Sequence, residues 1–362
     1  MESLSEKGTK MNVHKYEISK VIDRLKSIVQ KNDALPALGG VLVKKGYVIA
    51  SNTEITMKVK LEGCEDDYFI IPMKAFDLIK NLPEDLIDIS AGVNDTVTIK
   101  TGNIKNKFQS YPPENFAFDI YDMEDAETIS LNGKEAMEAL GHVIFAAADV
   151  SANIVMTGIN FNGAANKIKF AALDGHVVAV DAIPAEDAQS IDFTVPKNAI
   201  KKMVSMGILD DIELSYNKNA AIFKTKEYSI YTRLIEGNYP AYERMFADTK
   251  LHTLASRADL IGAMTRAKMC ADENKPAVFE FENTILGISI TSNSADYHEN
   301  IAIKKTVSEP LRIGFSSKIV LDTLKAFTCD EVVINMTAPK MPIIVEAEGG
   351  NMKAAICPVV LR

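Results

Sequence analysis

Few residues of this chain could make or break a covalent bond. The segment that looks most chemical is Asp174-Gly175-His176, set between two β-rich stretches. An aspartate beside a histidine can work as an acid/base pair. The same three residues also write a tight turn, with glycine at positive φ and the aspartate capping the backbone. Turn chemistry is the stronger reading. Cys357 could be a nucleophile, but it lies in an apolar run, where a buried free thiol is the ordinary outcome. The histidines (His14, His142, His176, His252, His298) do not cluster in sequence. The cysteines (Cys64, Cys270, Cys329, Cys357) include no Cys-x-x-Cys pair and no metal-ligand spacing, which suits a reduced, cytoplasmic compartment. Phosphate-cradling glycine loops, His-Glu-x-x-His and Gly-x-Ser-x-Gly are absent from the sequence. No catalytic residue, metal or cofactor is expected.

Charge is the better signal, and it rides on a repeat. A short amphipathic helix pattern recurs at 72–80, 196–203 and 316–325. Each copy is entered from a β-like stretch (69–71, 193–195, 312–315) and leads into another (87–89, 212–214, 332–334). The spacing of roughly 120 residues points to three copies of one domain. Each copy opens with an earlier helix, at 19–29, 133–140 and 257–268. In the first, Val21, Ile22, Leu25, Ile28 and Val29 recur at helical spacing and make one apolar face. In the third, Leu260, Ile261 and Met264 do the same.

Cations lie on or beside all six helices: Lys20, Arg24 and Lys31, then Lys74 and Lys80, then Lys134. Lys197, Lys201 and Lys202 follow, then Arg257, Arg266 and Lys268, then Lys318 and Lys325. The formal net charge is nevertheless −9, so the acidic surplus must sit elsewhere. The expected places are turns, at Glu62, Glu65, Asp66, Asp67, Glu84, Asp85, Asp210 and Asp211. Lysines on a helix face are often simply solvated. Recurrence of positive charge in every repeat favours a surface that attracts phosphates without reading sequence.

With 362 residues the chain exceeds the usual single-core size. Its 47% hydrophobic and 25% charged content is ordinary for a globular protein. No stretch has the length of a membrane span, and no signal-peptide core is visible. The expected fold is α+β: three tandem domains, each with two helices packed on antiparallel sheet. The expected boundaries are a flexible extension at 1–10, then domains at 11–125, 126–247 and 248–362. Proline beside aromatics at 110–116 and 235–244 marks the first two domain ends.

The sequence resembles the bacterial DNA polymerase III β subunit family, the sliding clamps, over nearly all of residues 11–362. The segments that carry the likeness are 35–40 (Leu-Pro-Ala-Leu-Gly-Gly), 172–176, 233–244, 313–315 with 321–324, and 356–361. The resemblance implies a ring-forming DNA-clamp fold: a head-to-tail homodimer whose helices line a hole around duplex DNA. It implies a non-enzymatic tether that holds the replicative polymerase for processive synthesis. It also implies a hydrophobic pocket for short linear peptides of polymerases, the clamp loader and repair proteins. Carried over by position, that pocket uses Met156, Leu173, Gly175, His176, Val177 and Val178. Pro240, Arg244, Met245, Pro342, Val359, Val360 and Leu361 complete it. The dimer contact would set Phe108 against Met269 and Cys270, and Lys105 and Lys107 against Asp296 and Glu299.

The sequence departs from the family at several of these places. Leu173 stands where a threonine is usual, Val177-Val178 where Arg-Leu is, and Val360 where a basic residue is, with Arg362 added after Leu361. These changes imply a more apolar peptide preference. Asn32-Asp33-Ala34 replaces a basic residue ahead of the Leu-Pro of a DNA-facing loop, leaving Lys31 as the nearest cation. Two other functions fit parts of the sequence. One is a hydrolase or transferase built on Asp174 and His176, which a turnover assay of His176→Ala would expose. The other is an open, monomeric DNA- or peptide-binding adaptor, which would not need circular DNA to stay bound.

Overall fold

The structure, a computed structural model, describes residues 10–83, 85–117, 123, 125–164, 166–247, 249–270, 275–293 and 295–361, without the side chains of 305–309. The extension expected at 1–10 lies outside these residues except for Lys10, which instead begins a strand. Glu84 and Arg362 also fall outside them. Among the described residues there are six α-helices: α1 (Lys15–Leu25), α2 (Phe76–Asn81), α3 (Gly133–Val143), α4 (Lys197–Met206), α5 (Arg257–Met269) and α6 (Ser317–Ala326). They pack as pairs, α1 with α2, α3 with α4 and α5 with α6.

The chain forms two compact units. The first holds the residues up to Ser130 with Asp210–Arg233. It has a four-stranded sheet in the order β1 (Lys10–His14), β6 (Leu86–Gly92), β7 (Thr96–Thr101), β8 (Ile104–Gln109). Its eight-stranded sheet starts with β5 (Tyr68–Pro72), β2 (Gly40–Lys44), β3 (Tyr47–Ser51) and β4 (Ile55–Lys60). It continues through β16 (Tyr228–Arg233), β15 (Ala220–Lys224), β14 (Ile212–Tyr216) and β9 (Glu127–Leu131). The antiparallel β4–β16 pairing thus joins strands of the first and second repeats in one sheet. A core of Ala37, Leu38, Leu42, Ile49, Ile70 and Phe116 lies in this unit.

The second unit holds Leu131–Leu209 and Leu234–Arg362. Its ten-stranded sheet begins β13 (Asp192–Pro196), β10 (Gly158–Ala164), β11 (Lys167–Leu173), β12 (Val177–Pro184). It goes on through β22 (Lys353–Ile356), β21 (Ile343–Ala347), β20 (Glu331–Met336), β17 (Leu251–Ser256), β19 (Asp296–Phe315) and β18 (Ala277–Thr291). Pairing of β12 with β22 carries the sheet from the second repeat into the third. Phe161 anchors one end of the core, edge-on to Phe170 at 4.8 Å, and Phe279 the other, edge-on to Phe315 at 5.4 Å.

Three helix ends have a visible local cause. Asn132 accepts the Glu135 N–H and Ser256 the Asp259 N–H, capping α3 and α5. Gly207 takes φ +61° and ends α4 in the left-handed conformation. The first helix differs from expectation. It starts at Lys15 and stops at Leu25, although Ile28 and Val29 beyond it are buried. Their amides return to the Leu25 carbonyl in a tight turn. Apolar spacing there reports burial, and the helical hydrogen bonding ends sooner. Lys31 consequently lies outside any helix, exposed. The strand expected at 312–315 is the end of β19, a strand of 20 residues.

Candidate peptide pocket and nucleic-acid interface

The pocket grows from one hairpin of the second unit. β11 and β12 pair antiparallel, with Ala171 opposite Val180 and Leu173 opposite Val178. Alternation along a strand puts these four side chains on one face. The turn joining the strands is Asp174-Gly175-His176. Asp174 Oδ1 accepts the backbone N–H groups of His176 (2.8 Å) and Val177 (2.9 Å), and Gly175 sits at φ +92°. The Asp174 carboxylate is therefore engaged as a turn cap, which favours the turn over the acid/base pair.

Tyr242 closes over this face. Ala171, Leu173, Val178, Val180 and Tyr242 form a buried cluster, and Met156, Tyr239, Met245 and Phe246 pack on it half-buried. Met156 comes from a 3₁₀ turn at Ile154–Thr157, and Met245 and Phe246 from another at Glu243–Phe246. Tyr239 meets Tyr242 edge-on at 6.3 Å. Burial, aided by Glu243 and Asp192, pushes the Tyr242 hydroxyl up to about 12, so the ring stays neutral. The site is apolar, with adaptable methionines at its open side.

The structure thus gathers Met156, Leu173, Val178 and Met245 from the expected pocket. Gly175 and His176 form the exposed turn beside it. Val177 does not join the cluster: the pleat turns it to the face opposite Val178, where it is buried. Pro240 is half-buried and Arg244 exposed, on the segment that carries Tyr239 and Tyr242. The C-terminal residues follow a different path. The Cys357 N–H donates to the His176 carbonyl and the Val359 N–H to the Gly314 carbonyl, both at 2.8 Å. Leu361 lies over Gly314 so closely that a Cβ there would stand 2.6 Å from its Cδ2. Val359 and Val360 are 40% and 76% exposed, and Pro342 is half-buried behind the exposed Met341. Burial raises the Cys357 thiol, which disfavours the nucleophilic thiolate. Tyr239, Tyr242 and Phe246 were not expected in the pocket. The aromatic-proline spacing of 239–246 was their only signal.

The helix cations are less free than their sequence positions suggest. Lys20 and Arg24, one turn apart on α1, both face Glu227. Lys80 meets Asp23. Lys134 stands 4.0 Å from Glu138, and Lys318 2.8 Å from Asp322. Lys197 Nζ donates to the Ala147 carbonyl and to Asp149. Arg257 Nε donates to the Cys329 carbonyl at 2.6 Å. Arg266 grips Glu299 with two nitrogens. Hydrogen bonds from Lys26 first and Lys80 next hold Asp23 below the usual carboxylate range, and those from Lys197, Arg24 and Arg266 do the same for Asp149, Glu227 and Glu299. The acidic surplus is therefore not confined to turns; carboxylates also sit against the helix cations. Asp67, assigned to a turn, is buried, and burial beside Asp66 and Glu65 pushes it up to about 6. Lys74, Lys201, Lys268 and Lys325 are exposed, and Lys202 is half-buried.

The residues expected at a dimer contact lie on the edge strand β8, at the end of α5 and at the start of β19. β8 is an edge strand, with Lys105 and Lys107 exposed and Phe108 half-buried. Met269 is 80% exposed at the end of α5 and Cys270 is half-buried beside it. Asp296 is exposed, whereas Glu299 is already engaged by Arg266 and Tyr297. Among the described residues no group of three or more His, Cys, Asp or Glu side chains could hold a metal ion. Among them, too, no helix is long and apolar enough to cross a membrane.

Comparisons with known proteins fit this architecture. The sequence model of the DNA polymerase III β subunit central domain matches residues 130–241, and that of its C-terminal domain matches 246–359. A β sliding clamp of Staphylococcus aureus is 24% identical over 358 residues, covering 93% of this chain and 94% of that protein. The DNA polymerase β subunit of Streptococcus pyogenes superposes with a TM-score of 0.90 at 18% identity, over 97% of this chain and all (100%) of the other. A sliding clamp of Pseudomonas aeruginosa, solved bound to griselimycin, also gives 0.90 at 18% identity, over 98% and 100%.

Proposed function

Because the chain belongs to the family of bacterial DNA polymerase III β subunits, the sliding clamps, we propose that it closes as a head-to-tail homodimeric ring around duplex DNA. As a clamp it serves DNA replication as a processivity factor and not as a catalyst. The ring tethers the replicative polymerase in the cytoplasm, and the apolar pocket docks short linear motifs of polymerase, clamp loader and repair proteins. The observation that carries this reading is the helix pair present three times, each with exposed or half-buried lysines. Such a face attracts phosphates by a non-specific, salt-screened force that permits sliding. Tethering raises effective concentration without any bond being made or broken, which explains a molecule without catalytic motifs.

Peptide capture would rest on the cluster around Tyr242, with Met156 and Met245 repacking around hydrophobic anchors. Leu173, where the family has threonine, and Val360, where it has a basic residue, make that surface more apolar than the family pattern. Ring closure would join the β8 edge to the third domain of the partner subunit, with Phe108 against Met269 and Cys270. Lys105 and Lys107 would face Asp296 and Glu299 there. Apolar contact should dominate, because exposed ion pairs contribute little.

The test is topological. Protein loaded on nicked circular DNA should stay bound through gel filtration and be released once the circle is cut. Retention on linear DNA with free ends would point instead to an open groove binder and overturn the ring. In sedimentation at low concentration, Phe108→Ala should shift the dimer toward monomer.

A further inference from the structure

The apolar pocket is braced by a strand from outside its own repeat. β12 pairs with β22, and Val180 stands directly opposite Lys353. Residues opposite one another in a ladder share a face of the sheet. Lys353 therefore emerges on the face that carries Ala171, Leu173, Val178 and Val180. Its Nζ lies 4.5 Å from the centre of the Phe246 ring. Phe246 is half-buried against the Tyr242 cluster and ends the 3₁₀ turn Glu243–Phe246, next to Met245. Lys353 is itself half-buried, as when an ammonium reaches over apolar surface on its methylene stem.

The turn at Glu243–Phe246 needs such a contact. Its hydrogen bond from the Met245 N–H to the Tyr242 carbonyl, at 2.9 Å, is internal to the segment and does not fix its place over the sheet. Side chains do that: Tyr242, Met245 and Phe246 pack onto β11 and β12. An ammonium is drawn to the negative face of an aromatic ring, so it sets the tilt of Phe246 as well as its position. The charged groups nearby have other roles. Glu346, opposite Lys353 on β21, accepts from Asn335 at 3.0 Å, and Glu243 and Arg244 on the turn are exposed. Just past the other end of β22, the Cys357 N–H donates to the His176 carbonyl. One short strand thus touches both rims of the pocket, the Phe246 turn and the 174–176 turn.

We propose that Lys353 is a positioning residue for peptide capture: its ammonium clasps the Phe246 ring and so sets Met245 at the open side of the pocket. This rests on the reading of that pocket as a peptide site. Lys353 acts through Phe246 and need not touch the peptide.

The probe is a short serine peptide bearing two leucines and a phenylalanine, acetylated and amidated so that it carries no charge. It is titrated calorimetrically into the full chain. Lys353→Met keeps the stem and removes the ammonium, and should bind about fivefold more weakly, the worth of one part-exposed cation–π contact. Lys353→Arg should bind like the parent, because a guanidinium also sits over a ring. Phe246→Leu should weaken binding too, and adding Lys353→Met to it should cost nothing further, because the clasp is already gone. Thermal midpoints within a few degrees of the parent will show that the variants are folded. Binding that ignores Lys353→Met, additive losses in the double variant, or failure of Lys353→Arg to hold affinity each overturns this proposal alone. A larger loss for the same peptide carrying a glutamate overturns it as well, since Lys353 would then read ligand charge. A parent that binds no peptide overturns the pocket reading, and this proposal with it.

Discussion

Around Tyr242 the molecule builds a surface from shape alone, whereas along its helices it builds one from charge that is already largely answered. Leu173, Val178 and Tyr242 are held by strand register and ring packing. Arg24, Lys80, Lys197, Arg266 and Lys318 each face a carboxylate of their own chain. The first kind of surface suits a partner that stays docked in one pose. The second would suit a polyanion that must keep moving, since each cation would exchange one carboxylate for a passing phosphate at little net gain.

The most forceful way to break this contrast is Tyr242→Ala. Removing a buried ring should cost about 3–4 kcal/mol of stability and abolish peptide capture together. Denaturant unfolding and a fluorescent-peptide titration would show both losses. Met156→Ala should separate them: Met156 is half-buried, so stability should fall by only about 1 kcal/mol while peptide binding weakens about tenfold. Equal stability losses in the two variants would mean that the pocket and its support cannot be told apart.

Acidity distinguishes the two surfaces next. Tyr242 has its folded-state pKa raised, so its contribution is full below the ordinary tyrosine value near 10 and is lost as pH climbs through about 12. That is worth on the order of 2 kcal/mol, and near-UV circular dichroism should report it. Glu227 and Asp23 have theirs lowered by Arg24, Lys26 and Lys80. Their contribution is present above the ordinary carboxylate value and is lost only as pH falls below it. Both are solvent-exposed and screened, so the acid effect on α1 should be small.

The smallest effect should come from the helix face. Lys201→Ala should lower the slope of log affinity for DNA against log salt by about one and leave peptide binding unchanged. A change in peptide affinity would show that the two surfaces are coupled.

Much of this was legible in the residues. The three later helix patterns lie within a few residues of α2, α4 and α6, because amphipathic spacing and the strand-to-helix transition are local properties. Asp174-Gly175-His176 read correctly as a turn, since only a glycine at positive φ and a side-chain cap are needed. The end of α1 was misread, because Ile28 and Val29 are buried without being helical. Val177 looked like Val178 in sequence, and only strand pairing shows that the two face opposite ways.

By itself the sequence determined where five of the six helices lie to within a few residues, the hairpin turn and the cations that recur with each repeat. Each of these depends on residues a few positions apart. Tertiary structure alone decided what answers those cations and what completes the pocket. Glu227 reaches Arg24 across 203 residues, Asp23 reaches Lys80 across 57, and Glu299 reaches Arg266 across 33. Tyr242 comes onto Leu173 and Val178 only because a distant segment folds back over the sheet. Burial and ion pairing are set by distance in space, and no local pattern records which far segment will arrive there.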